Sequence, residues 1–275
     1  MAFAQLSRVR LEYVEARHGP EKVLFIHGFQ ASARIWQAVQ AALPADRYTS
    51  IAIHNRGAGG SDAPPDEADF GVEVFAADAF ELAVQKGWRD FTLVGHSLGG
   101  ATAMVFAVEH PEVLKALVLL DPSGPDGREL PPGVTLDTVI DRAMEARRRQ
   151  QAAGAGGDAI DASGAGVDAD LMKALAADMR AAPERRLRGS MRSMFTLRIG
   201  ARLKDLPMPA LLIAGDKDEL IPLADMLRTW SLLPAGSGLH VWHGIGHSPN
   251  LDCPLDLAAL LRRFIETTVA AGAAS

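Results

Sequence analysis

Short hydrophobic segments and longer segments of helical periodicity alternate along most of the chain. Runs of about four to eight apolar or β-branched residues predict strands covered on both faces, and the amphipathic runs between them predict helices. The predicted strands occupy residues 21–29, 48–57, 91–97, 113–124 and 210–218, and residues 238–248 are predicted to be a strand followed by a loop. The predicted helices occupy residues 32–43, 72–87, 98–110, 223–233 and 255–272. This alternation predicts an α/β fold with a mainly parallel, doubly wound sheet.

The alternation stops between residues 125 and 205, where helical patterns continue without a convincing strand. We therefore expect an α/β core formed by residues 1–124 and 206–275, interrupted by a helical cap or lid at 125–205. Within this insertion, residues 152–170 are rich in Gly, Ala and Asp, which predicts a flexible loop. This loop is either an ordinary surface insertion or a mobile lid, and residues 152–168 are expected to be the most mobile part of the cap.

Composition and charge narrow the possible partners. The 275 residues carry a net charge of −6, which argues against nucleic acid or an anionic membrane as a general partner. The single cysteine, Cys253, excludes an internal disulfide, and a packed thiol is expected there. The sequence has neither metal-ligand spacing nor a nucleotide-binding glycine motif, so we expect no metal and no cofactor. Without a signal-peptide core or a long apolar run, a cytoplasmic location is expected, and the oligomeric state stays open.

A short motif gives the first indication of chemistry. Residues 95–99 read Gly-His-Ser-Leu-Gly and join a predicted strand directly to a predicted helix. In this context G-x-S-x-G predicts a nucleophile elbow, a sharp turn that lifts a serine hydroxyl above the sheet. Ser97 is the candidate nucleophile, and Gly95 and Gly99 leave room for the neighbouring backbone. The amide of Leu98, at the start of the helix, is a candidate oxyanion donor.

A serine nucleophile needs a base, and the base needs a carboxylate to orient it. His247 follows the last predicted strand among small neighbours and is the candidate base. Asp216, Asp218 and Glu219 follow the preceding strand and are candidate acids. The order of serine, acid and histidine along the chain matches the order found with this elbow. His96, next to the candidate serine, is interpreted as a packing residue.

Four further motifs make the chain resemble the α/β-hydrolase superfamily over nearly its whole length. They are His-Gly-Phe at 27–29, His-Asn-Arg-Gly-Ala-Gly-Gly-Ser-Asp at 54–62, an acid loop at 215–222 and a histidine loop at 246–254. The second motif departs from the family pattern, because His54 stands where the family usually has an aspartate. That position is not catalytic in the family, so the change is interpreted as local packing.

The resemblance implies further roles in the site. It implies that the amide of Phe29 is a second oxyanion donor. It favours Asp218 over Asp216 as the triad acid, because the family's acid is the third residue after the glycine of this loop. Some members take their acid from the position of Asp121, which we interpret here as a residue that braces its own loop.

The insertion is expected to form the roof of the substrate site. It is rich in methionine, and flexible thioether side chains suit an irregular apolar pocket. The alternative is that these side chains only fill the core of the insertion. The substrate-binding candidates are His27, Gly28, Met191, Met194 and Phe195.

The expected function is cofactor-independent hydrolysis of a small apolar carboxylic ester, or of a lactone, thioester or amide, through an acyl-enzyme on Ser97. Serine at this position disfavours haloalkane dehalogenases and epoxide hydrolases of the same fold, which use aspartate there. Two alternatives stay open. One is a different reaction on this scaffold: carbon–carbon bond hydrolysis, perhydrolysis or cofactor-free oxygenation. The other is a ligand-binding receptor that keeps the triad and turns over slowly.

Overall fold

The computed structural model describes residues 1–16, 19–152 and 168–272, with side chains described as far as residue 267. The strands are β1 (Ala2–Gln5), β2 (Arg10–Ala16), β3 (Glu21–Ile26), β4 (Tyr48–Ile53), β5 (Phe91–His96), β6 (Leu114–Leu120), β7 (Ala210–Gly215) and β8 (Gly238–Trp242). The helices are α1 (Gln37–Ala42), α2 (Val72–Gln85), α3 (Leu98–Glu109), α4 (Leu136–Ala152), α5 (Ala169–Ala181), α6 (Glu184–Thr196), α7 (Gly200–Leu203), α8 (Leu223–Ser231), α9 (Pro249–Asp252) and α10 (Pro254–Gly272).

The strands form one sheet of eight, in the order β1-β2-β4-β3-β5-β6-β7-β8. All pairs from β4 to β8 are parallel, and β2 pairs antiparallel with both β1 and β4. The predicted mainly parallel sheet is confirmed. The first two strands were not predicted, because they lie at the edge of the sheet and β1 alternates half-buried with exposed residues, which gives a weak hydrophobic signal.

The core lies on both faces of this sheet, as the apolar strands predict. Successive side chains of a strand point to opposite faces. Leu24 and Ile26 of β3 belong to the cluster that includes α2 and α3. Val23 and Phe25 belong to the cluster that includes α1 and α10. Every residue of β5 and β7 is buried, so the strands that precede the candidate serine and acid are fixed from both sides.

The predicted strands end earlier in the structure than in the sequence pattern, and one predicted helix is divided in two. The helix predicted at 32–43 is a 3₁₀ turn, Ala33–Trp36, followed by α1. The strand predicted at 48–57 ends at Ile53, because the chain turns after it and Gly57 has a positive φ of 72°. Turns of this kind favour glycine, and the glycines of this segment mark the end of the strand.

Helices α4 to α7 lie between β6 and β7, and the described part of this insertion contains no strand. The insertion has a small apolar core of its own, formed by Ile140, Met144, Ala182 and Leu187. Most of the predicted loop at 152–170 lies outside the described residues. Its last part is helical, since Asp168 caps α5 by accepting a hydrogen bond from the amide of Asp170 at 2.8 Å. Within the described ranges, every helix is too short or too polar to cross a bilayer.

Candidate active site

Ser97 lies on a sharp turn between β5 and α3, in the conformation that the motif predicts. Its φ is 55° and its ψ is −120°, a left-handed region that non-glycine residues rarely adopt. A Cβ atom on Gly95 would lie 2.1 Å from the carbonyl oxygen of Gly99, and one on Gly99 would lie 2.3 Å from that of Ile26. Both positions therefore require glycine, and the close packing holds the serine at the end of β5.

The loop after β3 passes directly beside Ser97. A Cβ on Gly28 would lie 3.0 Å from the Cβ of Ser97, so Gly28 lies against the candidate nucleophile. Within the described part of the chain, the amides of Phe29 and Leu98 donate no hydrogen bond to another residue. An amide without an intramolecular partner is available to donate to a substrate oxygen.

His27 shapes this loop and does not face a substrate. Its Nδ1 donates to the carbonyl oxygen of Gly28 at 2.8 Å, and its Nε2 accepts from the amide of Asn55 at 3.1 Å. Burial lowers the pKa of His27 well below its ordinary value, and the nearby Arg186 lowers it further. The expected substrate contact from this ring is therefore corrected, because a neutral ring with both nitrogens occupied can only position Gly28.

His247 and Asp218 form a buried pair at the ends of neighbouring strands. His247 Nδ1 donates to Asp218 Oδ2 at 2.6 Å, and the carboxylate side chain is completely buried. Asp218 Oδ1 accepts from the amides of Leu220 at 2.8 Å and Ile221 at 2.9 Å. These bonds fix the carboxylate, and the pairing of Nδ1 leaves Nε2 of His247 as the acceptor of a proton.

The other candidate acids lie elsewhere. Asp216 Oδ2 accepts from Nδ1 of the exposed His243 at 2.6 Å, and its Oδ1 accepts from the amide of Gly244 at 2.7 Å. The Gly244 bond is the main cause of a lowered pKa for Asp216. Glu219 is exposed. The structure thus brings Asp218, and neither alternative, to His247.

Ser97 and the imidazole of His247 are not hydrogen-bonded to each other in this structure. Among the described residues, Ser97 Oγ makes no hydrogen bond, although the residue is only 8% exposed. The rings of His96 and His247 lie 4.9 Å apart, which places His247 beside the strand end that carries Ser97. Nucleophile–base contacts in substrate-free enzymes are often long and close when substrate binds.

His96 does more than the packing role that the sequence indicates. Its Nε2 donates to the backbone carbonyl oxygen of His247 at 2.7 Å. Burial, and then the neighbouring His247, lowers the pKa of His96 to about 3, so the ring is neutral at ordinary pH. His96 therefore ties the histidine loop to the serine turn. The sequence signal was its position inside G-x-S-x-G, which by itself does not reveal a partner 151 residues away.

The substrate-binding candidates in the insertion differ in position. Met194 Sδ lies 3.5 Å from Ser123 Oγ, and the amide of Ser123 donates to the carbonyl oxygen of Ser97 at 3.0 Å. Met191 and Phe29 both pack against the small apolar core of the insertion. Phe195 is half-buried, and no described contact places its ring beside Ser97.

Arg186 on α6 is a buried residue that sequence reasoning did not identify. It is 1% exposed, and its guanidinium donates to the carbonyl oxygens of Ala31 at 3.2 Å and Gly57 at 3.4 Å. Burial lowers its pKa to about 10. The side chain joins the insertion to the loops after β3 and β4. An arginine on an amphipathic helix gives no sequence signal of burial, because such residues usually face solvent.

Two residues interpreted as packing are buried or half-buried. His54 is fully buried, accepts from the amide of Ala33 at 3.4 Å and has Nε2 3.7 Å from Glu12 Oε2. Burial lowers its pKa. Cys253 is half-buried, and burial raises the pKa of its thiol to about 12. A protonated thiol of this kind is not a nucleophile.

The fold and this arrangement define an α/β-type hydrolase scaffold, with a serine elbow after β5 and a His–Asp pair formed by the loops after β7 and β8. Comparison with known proteins agrees. A family model for the α/β hydrolase fold matches residues 22–254, so the chain belongs to that family.

The individual relatives differ in their named activities, so they support the family and do not define one reaction. An uncharacterised protein of Mycobacterium tuberculosis is 29% identical over 98% of this chain and 82% of its own length. A fluoroacetate dehalogenase of Burkholderia sp is 37% identical over 41% of this chain and 38% of its own length. An esterase structure from Exiguobacterium antarcticum has a TM-score of 0.83 at 21% identity, covering 96% of this chain and 98% of that one. At this identity the structural likeness shows the fold alone.

Proposed function

We propose that this protein is a serine hydrolase that cleaves a small apolar carboxylic ester through an acyl-enzyme on Ser97. The observation that carries the proposal is the position of three groups at the carboxyl ends of strands along the same edge of the sheet. Ser97 follows β5 in an elbow conformation, Asp218 follows β7, and His247 follows β8 and binds Asp218 through Nδ1. Carboxyl ends of parallel strands are where sites form in open α/β sheets.

The geometry supports a two-step reaction. Ser97 Oγ attacks the ester carbonyl carbon while His247 Nε2 takes its proton, and the carbonyl oxygen becomes an oxyanion beside the amides of Phe29 and Leu98. Collapse of this intermediate breaks the ester bond, and His247 returns the proton to the leaving alcohol. Water, deprotonated by His247, then attacks the acyl group, releases the carboxylic acid and restores Ser97. Asp218 keeps the imidazole in the required tautomer and stabilises its protonated form.

Ester hydrolysis by serine is supported over the chemistries that the partial relatives suggest. Relatives include proteins named as a dehalogenase and as epoxide hydrolases. On this fold, dehalogenase and epoxide-hydrolase chemistry uses an aspartate in the elbow to form an alkyl ester. This chain has Ser97 there, and a serine hydroxyl activated by a general base is suited to acyl transfer.

The insertion is the proposed roof of the substrate pocket, with residues 125–205 as cap and the remainder as core. Met194 reaches Ser123 beside the elbow, and Met191 shares an apolar cluster with Phe29. Thioether and aromatic side chains at these positions favour an apolar acyl group.

Turnover of p-nitrophenyl acetate and p-nitrophenyl butyrate tests the proposal. We expect multiple turnovers with the wild type and none above background with Ser97→Ala. Ser231→Ala is the matched control, because its hydroxyl bonds only within α8 and it should retain full turnover. A single stoichiometric burst followed by no further product would contradict the hydrolase and favour a slow-turnover receptor. Equal turnover by the wild type and Ser97→Ala would remove Ser97 from the reaction.

A further inference from the structure

Asp121 is a completely buried carboxyl group that the proposed reaction does not use. It follows β6, between the strand ends that carry Ser97 and Asp218. Its Oδ1 accepts a hydrogen bond from the amide of Gly215 at 2.9 Å, the glycine that begins the acid loop. Its carboxyl group lies within side-chain hydrogen-bonding reach of Asp218. Two buried acidic side chains are therefore neighbours, and one of them is the Asp218 that binds His247.

Two ionised carboxylates cannot satisfy each other, because each can only accept hydrogen bonds. Among the described residues, Oδ2 of Asp121 has no donor. A buried polar oxygen without a partner is costly, and two buried like charges in contact are more so. One proton removes both problems, because a carboxylic acid has a hydroxyl that can donate.

The hydrogen bonds of Asp218 show which group keeps the negative charge. A carboxylate offers about four acceptor sites. The amides of Leu220 and Ile221 and the Nδ1–H of His247 occupy three of them. The fourth site is available for a hydroxyl from Asp121. Three N–H donors favour the ionised form of Asp218. Asp121 accepts from one N–H donor, that of Gly215, so its ionised form is less favoured.

We propose that Asp121 is a neutral carboxylic acid that donates its hydroxyl to the Asp218 carboxylate and so positions the acid that orients His247. The effect of Asp121 on turnover rests on the proposed function, whereas the protonation state of Asp121 is independent of it. Asp121 is a positioning residue, since it acts through Asp218 and does not reach the reacting atoms.

The electrostatic surroundings agree with this assignment. Burial raises the pKa of Asp121 well above its ordinary value, against the Gly215 hydrogen bond, and the charges of Asp218 and Asp252 raise it further. The groups that face Asp121 from the acid loop and from the start of the C-terminal helices thus favour its neutral form.

The backbone conformation of Asp121 indicates which substitution removes its charge with least disturbance of the fold. Asp121 has a positive φ of 40°, a conformation that aspartate and asparagine tolerate better than most residues. Asp121→Asn keeps this tolerance, keeps an acceptor for Gly215 and places an NH₂ donor toward Asp218. Asp121→Ala removes both hydrogen bonds.

Infrared difference spectroscopy tests the proton directly, without any substrate. Protein labelled with ¹³C in the aspartate carboxyl groups is compared at pH 7 with the same labelled Asp121→Asn variant. We expect the wild type to show a carbonyl band of a protonated carboxylic acid that Asp121→Asn lacks. Asp78, a second buried aspartate with a pKa raised by burial, does not confuse the comparison, because it is present in both proteins. Absence of any such difference overturns the proposal.

The rate of acylation tests the positioning role. Asp121→Asn should keep kcat/KM for p-nitrophenyl butyrate near the wild-type value, and Asp121→Ala should lose about tenfold to a hundredfold. The wild type should also lose activity at alkaline pH where Asp121 ionises, whereas Asp121→Asn should extend its plateau there. Equal losses in both variants would overturn the proposal, because they would show that the charge of Asp121 is used. If wild-type protein neither turns over esters nor reacts with a fluorophosphonate, the proposed function fails, and the infrared comparison still decides the state of Asp121.

Discussion

The strand ends that carry Ser97, Asp218 and His247 are held in a different way from the inserted helices above them. The strand-end groups are fixed through the backbone: glycine contacts around Ser97, two amides on Asp218 and the His96 bond to the carbonyl oxygen of His247. Each of these contacts depends on main-chain geometry, which few substitutions preserve. The chemistry of the site is therefore tied to the fold itself.

Helix α6 of the insertion is held to the core mainly through side chains. Arg185 donates to the carbonyl oxygens of Pro64 and Ala63, and Ser190 donates to that of Phe70 at 2.9 Å. Arg188 forms an ion pair with Glu67 near the surface, a type of contact that contributes little stability. Side-chain contacts can be exchanged without changing the sheet. This difference supports the proposal that the reaction belongs to the core and that substrate choice varies with the insertion.

The largest effect should come from the elbow. Ser97→Ala is expected to lower kcat by about 10⁴- to 10⁶-fold, because the nucleophile is absent while the oxyanion donors remain. Steady-state hydrolysis of p-nitrophenyl butyrate measures this, with circular dichroism as the check on folding. A loss of less than tenfold would show that Ser97 is not the nucleophile. The proposed assignment of the chemistry to the strand ends of the core would then be wrong.

The next effect separates the two aspartates of the acid loop. Asp218→Asn should lower kcat by about 10⁴-fold, because His247 loses the carboxylate that orients it. Asp216→Asn is the matched control, since it disturbs only the surface contacts with His243 and Gly244. Its kcat should stay close to that of the wild type. The opposite ranking would assign the role to Asp216, and mild effects of both would direct attention to Asp121.

A smaller effect concerns stability on the core side of the comparison. The unfolded chain binds a proton on His96 near pH 6.5, whereas the folded chain binds it only near pH 3. The neutral buried ring therefore contributes stability above pH 6.5 that is lost as pH falls toward 3. Between pH 7 and pH 5 the free energy of unfolding should drop by about 2 kcal/mol through this residue.

Urea unfolding of the wild type and His96→Gln at both pH values measures this contribution. The glutamine amide keeps a donor for the carbonyl oxygen of His247 but does not titrate. The variant should lose about 2 kcal/mol less than the wild type between pH 7 and pH 5. Parallel losses in the two proteins would show that His96 is not held neutral by the fold.

The smallest effect should come from the insertion. Met194→Ala is expected to change the ratio of kcat/KM for butyrate and acetate esters by about tenfold, because a pocket contact with the acyl chain is shortened. Met172→Ala is the matched control, since Met172 packs against the core cluster on the α1 and α10 face. An unchanged ratio with Met194→Ala would make the insertion structural packing only.

The sequence predicted most of what depends on backbone geometry. Gly95 and Gly99 mark the elbow because no other residue fits there, and the buried strands leave continuous apolar runs. Contacts between distant side chains left no such mark. The His96 bond to His247, the burial of Arg186 and the meeting of Asp121 with Asp218 all arise when loops from separate strands converge. His27 was assigned to substrate for the same reason, because its loop role depends on the amide of Asn55.

Fluorophosphonate labelling followed by peptide mass spectrometry tests directly whether Ser97 is the nucleophile. We expect one phosphonyl group per chain, attached to Ser97, at a rate that Met194→Ala leaves nearly unchanged and that Asp218→Asn lowers strongly. Labelling of another residue, or equal labelling of wild type and Ser97→Ala, would contradict the assignment of the nucleophile and with it the proposed acyl-enzyme.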